Sequence, residues 1–547
     1  MEGGLFLKEL RLRKQKDWSR VGYERRCLTK LIYFSTLRSL SMRVTLIFFY
    51  FLLGIVVEAG AADPGTNVVR DLTLEECVQL ALEHNLDIRI QKYNPQIDRF
   101  NLEGIYGDYD PQLQLEARRS FNSSEASRNA ASFNAPANET DGNLFSAGLT
   151  GLVPTGLTYD LGGSLTRNDS SVFRLGSNGV GRNVFSKEYR TSPGINLRQP
   201  LLKNFWIDST RYNIQVAKRN LKISETALTL QIMQTITSVE EAYYDLILAR
   251  EKVKVQEKAL QLAQKLLAEN KKRVEVGALA PLDEKQAESE LAKSRADLLT
   301  VLQTLSAQQN LLKNLISDNF SSWHNTTIVP AEKLEALPQR FNLQESWRIG
   351  LEERPELQRL KLDLERRDIR LKFLRNQLFP ALDLIGSYGY NGLDEFFGGV
   401  VDDVSGRRNP FYSYGVIVTI PLGNRRARSN YKVSKAEKAQ ALVEYKKQEQ
   451  TILVEIEDAI AKVYNFYERV GATREARTYA EFALEAEQKK LENGKSTSFQ
   501  VLQLQRDLTA RRSEEIQAFT DYNKALAQVA LKEGTTLDRN RIKLEIK

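Results

Sequence analysis

The chain has 547 residues, 42% hydrophobic and 27% charged, so it can bury a large core and is too apolar for general disorder. Its formal charge of +8 invites a nucleic-acid reading, but residues 1–61 hold 11 Lys/Arg against 5 Asp/Glu, which leaves only +2 for the rest. The basic excess belongs to the first 61 residues, and nucleic acid loses its main support as a partner.

Those residues read as a leader. The apolar run Val44–Val57 is 14 residues long, too short to span a bilayer comfortably but right for a signal-peptide core. Arg43 precedes it and Ala59-Gly60-Ala61 supplies a small-x-small cleavage site. Residues 1–41 are long and basic for a leader, which points to Met42 as the true start. Cleavage would remove Cys27 and leave Cys77 alone, so the mature chain has no internal disulfide and no cysteine at its new end to take a lipid. A linker over 62–71 follows.

From there the sequence repeats itself. Leu74-Glu75-Glu76 through Asn85 matches Leu343-Gln344-Glu345 through Arg354 at a shift of 269, and Pro111–Leu115 falls on Pro380–Leu384 at the same shift. Val239–Ala242 matches Ile456–Ala459, Gly277 matches Gly494 and Gln286 matches Gln503 at a shift of 217, so the first copy holds 52 extra residues between Leu115 and Asn213. The repeats span 72–317, with an insertion over 116–198, and 342–533. A linker over 318–341 joins them, and a tail, 534–547, ends the chain.

Each copy runs helix, strand region, very long helix, glycine break, helix. In the first, a short helix over Thr73–His84 and another over Leu86–Tyr106 lead into strands. Leu157, Tyr159, Leu161, Gly163 and Leu165 alternate with more polar residues, and in the second copy Tyr412, Tyr414, Val416, Val418 and Ile420 do the same. Two-faced segments of about ten residues suit a membrane barrel, apolar outside and wet inside, although a soluble sandwich has the same period. A signal peptide without a long apolar helix tilts the reading to the outer membrane. The insertion has room for two further strands, around Phe145–Val153 and Leu157–Arg167, joined at Pro154-Thr155-Gly156 by a turn facing the periplasm.

Between Asp208 and Val274 no Pro or Gly occurs, and Ile232, Val239, Leu246, Val253, Leu260, Leu267 and Val274 recur every seven residues. That pattern predicts a coiled-coil helix about 100 Å long. After Gly277 the chain must reverse, because Pro281 breaks the helix and a new seam begins at Leu291, Leu298, Leu305 and Leu312. The result is an antiparallel hairpin, whose second helix, Asp283–Ser317, would stack end to end with Leu86–Tyr106 along the long one. The second copy keeps Ile456, Val463, Leu484 and Leu491 but has Arg477 on its seam.

Val276-Gly277-Ala278 with Asp283 six residues past the glycine, the second turn at Asn493-Gly494-Lys495, and the strand ends Gln199-Pro200-Leu201 and Ile420-Pro421-Leu422 resemble, together with the duplicated layout, the TolC family of outer-membrane efflux proteins. The resemblance covers Leu72 to Glu533. It implies an α+β membrane protein: duplicated long antiparallel helical hairpins forming a trimeric α-barrel, plus a trimeric transmembrane β-barrel. It also implies a homotrimer embedded in outer-membrane lipid, and docking to a periplasmic adaptor protein and an inner-membrane pump. The turn residues Val276, Gly277, Ala278, Asn493, Gly494 and Lys495 become candidate adaptor contacts. Asp283, Gln286, Gln500 and Gln503, six and nine residues past each glycine, become candidate gate residues. The family's usual strand pair per copy gives twelve strands, which the insertion here would exceed. Carboxylates typical of the second copy in some members are replaced by Gln500 and Gln503.

Chemistry is sparse. The mature chain offers Cys77, His84 and His324 without paired spacing, too little for zinc, and a single methionine, Met233. Gly494-Lys495-Ser496 mimics the end of a phosphate loop, but Lys489 stands where its first glycine belongs. No cofactor and no enzyme activity are expected. The reading is an exit duct of a tripartite efflux or type I secretion system. The alternative is a periplasmic coiled-coil scaffold or adaptor without a channel, which would explain the helices but not the strands.

Overall fold

The computed structural model of the chain describes residues 68–124, 137–175, 181–277 and 279–543, so the expected leader, its expected cleavage site and Ala278 lie outside the described residues. The first half runs β1 (Val68–Leu72), α1 (Leu74–His84), α2 (Leu86–Tyr106), β2 (Gln112–Ser124), β3 (Asn138–Leu152), β4 (Thr158–Leu175), β5 (Gly181–Thr191), β6 (Gly194–Pro200), α3 (Ser209–Glu275) and α4 (Pro281–Ile316). The second runs β7 (Thr326–Pro330), α5 (Leu343–Glu353), α6 (Pro355–Asn376), β8 (Ala381–Tyr390), β9 (Gly392–Asp394), α7 (Phe397–Ser405), β10 (Pro410–Thr419), α8 (Arg425–Glu492), α9 (Ser498–Glu533) and α10 (Thr536–Arg539).

Local chemistry sets the helix starts. α1 opens on a capping box, in which the Thr73 hydroxyl accepts the Glu76 N–H (3.2 Å) and the Glu76 carboxylate accepts the Thr73 N–H (2.8 Å). Asn85 caps α2 and Asn342 caps α5 through their side-chain carbonyls. Pro281 does not interrupt a helix but opens α4 at its first position, where the missing N–H costs nothing. The helix therefore starts before Asp283.

The helices α3 and α8, of 67 and 68 residues, are unbroken, and each is about 100 Å long. Their partners come in two pieces. α2 and α4 pack along α3, and α6 and α9 along α8, while α6 and α9 also pack on α3. Every level therefore has four helices side by side: α2, α3, α6, α8 near the strands, and α4, α3, α9, α8 near the turns. At the joint in the first repeat the Asn85 amide donates to the Leu315 carbonyl (3.0 Å). In the second, Gly534, with φ +83°, ends α9 against the backbone of Glu353 and Arg354. Arg354, at the place of Asn85, is buried and pairs with Glu356 (2.8 Å) and Glu455 (2.6 Å).

The core lies at mid-length. Ile232, Val239, Tyr243 and Leu246 of α3 pack under Cys77, Val78 and Ala81 of α1, and Ile452, Ile456 and Val463 of α8 pack with Tyr522 and Val529. β1 pairs in parallel with β7 beside them, and the Tyr243 hydroxyl donates to the Leu72 carbonyl (3.0 Å). Nearer the turn the expected seam drifts: Leu260, Leu267 and Val274 are only half-buried, and Ala263, Leu266 and Asn270 take the buried places. A 3.6-residue helix rotates about 20° per heptad, so a strict seven-residue seam cannot stay buried along a straight rod. Arg477 finds carboxylates, with Glu515 at 2.6 Å and Glu481 at 2.8 Å.

The strands form one antiparallel sheet in the order β10-β8-β6-β4-β3-β2. β5 and β6 keep one register along β4, with Leu165 opposite Thr191 and Gly162 opposite Gly194, so they are one long strand interrupted at Pro193, which has no N–H to give. β9 extends β8 in the same way against β5. Among the described residues six strands result, two of them, β3 and β4, from the insertion.

Candidate functional site

Residues paired across an antiparallel sheet share a face, so its rows can be read directly. One row is Gln112, Thr150, Asp160, Asn196, Ser387 and Ser413. The adjacent row, pointing the other way, is Leu113, Leu149, Leu161, Ile195, Tyr388 and Tyr412. One face is thus polar and the other apolar and largely exposed, as a sheet between water and lipid requires. The apolar band ends near Leu165 and Thr191, two rows below Arg119, Arg167 and Asp394. There α7 lies across the apolar face, with Val400 over Gly392 and Phe397 edge-on to Tyr189 at 6.3 Å, and leaves Phe396, Phe397 and Val401 exposed.

The turn between β3 and β4 sits at the helix end of the sheet. The Gln199 amide donates to the Thr155 carbonyl (3.0 Å), and Gly156, at φ +86°, lies against Pro200 and Asn204 at the approach to α3. Ser124, at the far end of β2, marks the opposite rim. Cysteines placed singly at Thr155 and Ser124 should therefore label from opposite sides of the membrane with an impermeant maleimide, and same-side labelling would refute this arrangement. Cys77 should stay unlabelled in the native protein, because burial, then Glu76 and Glu332, push its thiol up to about 12.

At the other end the two hairpins turn alike. α3 ends at Glu275 and α8 at Glu492, and Gly277 and Gly494 adopt φ of +76° and +71°. Only this left-handed backbone demands glycine, since a Cβ at either position would meet nothing within 4 Å. The Lys495 N–H donates to the Lys490 carbonyl (2.8 Å), so Gly494-Lys495-Ser496 is a helix end, not a phosphate cradle.

The chain matches the outer membrane efflux protein family over residues 152–317 and 349–534. It belongs to that family. The Outer membrane efflux protein BepC of Brucella suis is 24% identical over 350 residues, which cover 64% of this efflux protein and 73% of BepC. The CmeC outer membrane channel of Campylobacter jejuni superposes with a TM-score of 0.61 at 16% identity, covering 87% of the efflux protein and 91% of CmeC. The outer membrane protein VceC of Vibrio cholerae gives 0.60 at 17%, covering 84% and 96%. The fold is the one expected, long helical hairpins joined to antiparallel strands, in a channel and not an enzyme.

The tips of the efflux protein hold the predicted residues at different depths. Val276 is 78% exposed, and Asn493, Gly494, Lys495, Gln500 and Gln503 are also exposed, whereas Asp283 and Gln286 are half-buried. Among the described residues no hydrogen bond joins Asp283 or Gln286 to Gln500 or Gln503. Other residues tie the hairpins together. Asn270, 1% exposed, donates to the Asp283 carbonyl (3.4 Å) and accepts the Ser498 hydroxyl (3.0 Å). Arg273 donates to the Leu491 carbonyl (3.2 Å), and Arg506 grips Glu290, 7% exposed, through Nε (2.8 Å) and Nη2. Farther from the turn, Arg512 holds the Glu481 carboxyl below its usual range against the opposing effect of burial, with help from Arg477.

Proposed function

We propose that three copies of this chain close edge to edge into one duct, which crosses the outer membrane as a β-barrel and the periplasm as a helical tunnel. The observation that carries this is the coincidence of open edges. Among the described residues β2 and β10 each have a neighbour on one side only, and α2 with α4 and α8 are the outermost helices on the corresponding sides. β2 and β10 are also of opposite sense, so the β10 of one copy can pair antiparallel with the β2 of the next. A barrel leaves no edge unpaired in lipid, whereas a lone sheet does. A soluble scaffold has no use for the exposed apolar band beneath α7.

In this reading the leader is removed near Ala62, and the hairpin turns point into the periplasm, where Val276, Gly277, Ala278, Asn493, Gly494 and Lys495 meet an adaptor linked to an inner-membrane pump. Asp283, Gln286, Gln500 and Gln503 each recur three times around the mouth, and such rings set selectivity. Native mass measurement in mild detergent should give three copies, and the purified assembly should conduct in a planar bilayer. A stable monomer at micromolar concentration would overturn the reading. The exposed Gln500 and Gln503 make the second copy the better candidate for the gate. Millimolar divalent cations should then block the channel only weakly, and Gln500→Asp with Gln503→Asp should create strong block. Strong block of the unmodified channel, abolished by Asp283→Asn, would move the gate to the first copy.

A further inference from the structure

We infer that each chain holds one phosphorylated glycolipid of the outer leaflet, with an acyl chain in the groove between α7 and the sheet and a phosphate on Lys187. This rests on the sheet being part of an outer-membrane barrel whose end opposite the helices faces outward. Phe397, Val400, Val401 and Val404 recur at three and four residues, so α7 turns one apolar stripe toward the outer face of the sheet. Its first turn lies close to β9, where Gly399 lacks the Cβ that would collide with the Asp394 carboxylate. Farther along, a groove of about 270 Å³ stays open, floored by Leu165, Thr191 and Pro193 and walled by Val400, Val401 and Val404. The floor belongs to β4 and to the junction of β5 with β6, in the middle of the sheet, so neither edge strand reaches it. The two hydroxyls at the groove are already engaged: Thr191 donates to the Ser164 carbonyl (2.8 Å) and Ser405 to the Asp402 carbonyl (3.4 Å). A polar ligand would give up its water there for little in return, whereas a hydrocarbon chain meets apolar surface throughout.

The groove ends beneath a cationic ledge. The Phe397 ring meets Tyr189 edge-on at 6.3 Å, and over the Tyr189 ring lie the Lys187 ammonium (5.2 Å) and the Arg167 guanidinium (6.0 Å). Arg167 pairs with Asp169, Arg119 pairs with Asp141 (2.7 Å), and Asp394 accepts the Phe396 N–H (2.8 Å), which leaves Lys187, among the described residues, as the cation of this ledge without an ion pair. An exposed ammonium just above an apolar groove at the membrane surface matches a lipid phosphate. The ligand extends further still. β4 has 18 residues where about 9–11 cross a bilayer, so its outer face continues above the phosphate level. There Phe121 and Phe185, 65% and 77% exposed, line a hollow of about 470 Å³ with Asp141, Asp169 and the same Lys187. Exposed aromatic faces beside carboxylates mark a binding surface and suit sugar rings, whose C–H faces stack and whose hydroxyls donate. A glycerophospholipid would leave this hollow empty.

The test is native mass spectrometry of the intact, delipidated assembly in mild detergent, titrated with lipid A. One lipid A per chain should bind saturably. Lys187→Glu, at an exposed site, and Val404→Trp, which fills the groove, should each weaken binding about tenfold or more at unchanged copy number. Lipid A stripped of its phosphates should bind the unmodified chain more weakly by a similar factor, and should bind the Lys187→Glu protein no worse than intact lipid A does. Should Val404→Trp fail to assemble, Lys187→Glu and the stripped lipid still decide. Absence of saturable binding, or an affinity unmoved by Lys187→Glu, would overturn the inference and leave the channel standing. Phosphatidylglycerol bound as tightly as lipid A would overturn the glycolipid as the ligand. The copy number, read in the same spectra, tests the closed duct separately.

Discussion

Changing Ile97 and Phe100 to aspartate should turn the detergent-solubilised assembly into monomers. Leu86, Ile90, Tyr93, Ile97 and Phe100 form a stripe along α2, spaced by three and four residues, and all are at least half exposed in the single chain, Phe100 at 66%. A helix that keeps such a stripe in water wastes about 1.5–3 kcal/mol for each large side chain that could be buried. The stripe lies on an outermost helix, and α8 at the opposite edge exposes Val433, Val443 and Val454. Aspartate would lose the apolar contact and add a charge that burial leaves unpaired, in each of three equivalent interfaces. Light scattering or native mass should therefore show one copy in place of three, with helix content by circular dichroism preserved. Persistence of trimers in the double variant would show that the stripe faces something other than a second copy.

Arg506→Met should raise the conductance of the resting channel. Arg506 reaches from α9 to Glu290 on α4, and so ties the second hairpin to the first a short way above the turns. The methionine keeps much of the aliphatic length but leaves a buried carboxylate without its cation, at a cost of about 1–3 kcal/mol or more. A closed arrangement that depends on the tie loses that amount relative to an open one, which shifts the balance about 5–150-fold. Glu290→Gln, which keeps a hydrogen-bond acceptor for the guanidinium, should shift it less. Single-channel recording at fixed voltage checks both, and equal conductance in all three proteins would remove the pair from the gating apparatus.

Features with a short repeat distance were legible in the sequence. The seven-residue spacing from Ile232 to Val253, the glycines at 277 and 494, and the alternation around Leu161 and Tyr414 each express a local backbone rule, and each stands in the structure as a helix, a turn or a strand. The inserted strands were legible for the same reason. What escaped notice joins distant parts. Asn270 with Ser498 and Glu290 with Arg506 span 228 and 216 residues, and nothing in either neighbourhood announces its partner. α7 escaped for the opposite reason, since a nine-residue helix containing two glycines has too few turns to show a period. The drift of the α3 seam was open to arithmetic but hidden by the regularity of the leucines.

The joints at Asn85 and Arg354 have a mechanical consequence. α3 and α8 are continuous staves, while α2 with α4 and α6 with α9 are each cut at mid-length. A couple applied at the turns is carried past mid-length by the staves, but crosses the cuts through different contacts: in the first repeat the Asn85 amide, the exposed Arg89–Asp318 pair (3.3 Å) and the packing of Ile88 with Leu312 and Ile316, in the second the buried Arg354 on Glu455, which also holds Lys532 of α9 (3.2 Å). The two repeats should therefore differ in compliance, because the ion pair at the first joint is exposed and screened by water, whereas the one at the second is buried on the arginine side. In the proposed trimer, twist fed in at the tips would then bend the wall unevenly, with the softer seam recurring every 120° around the tube.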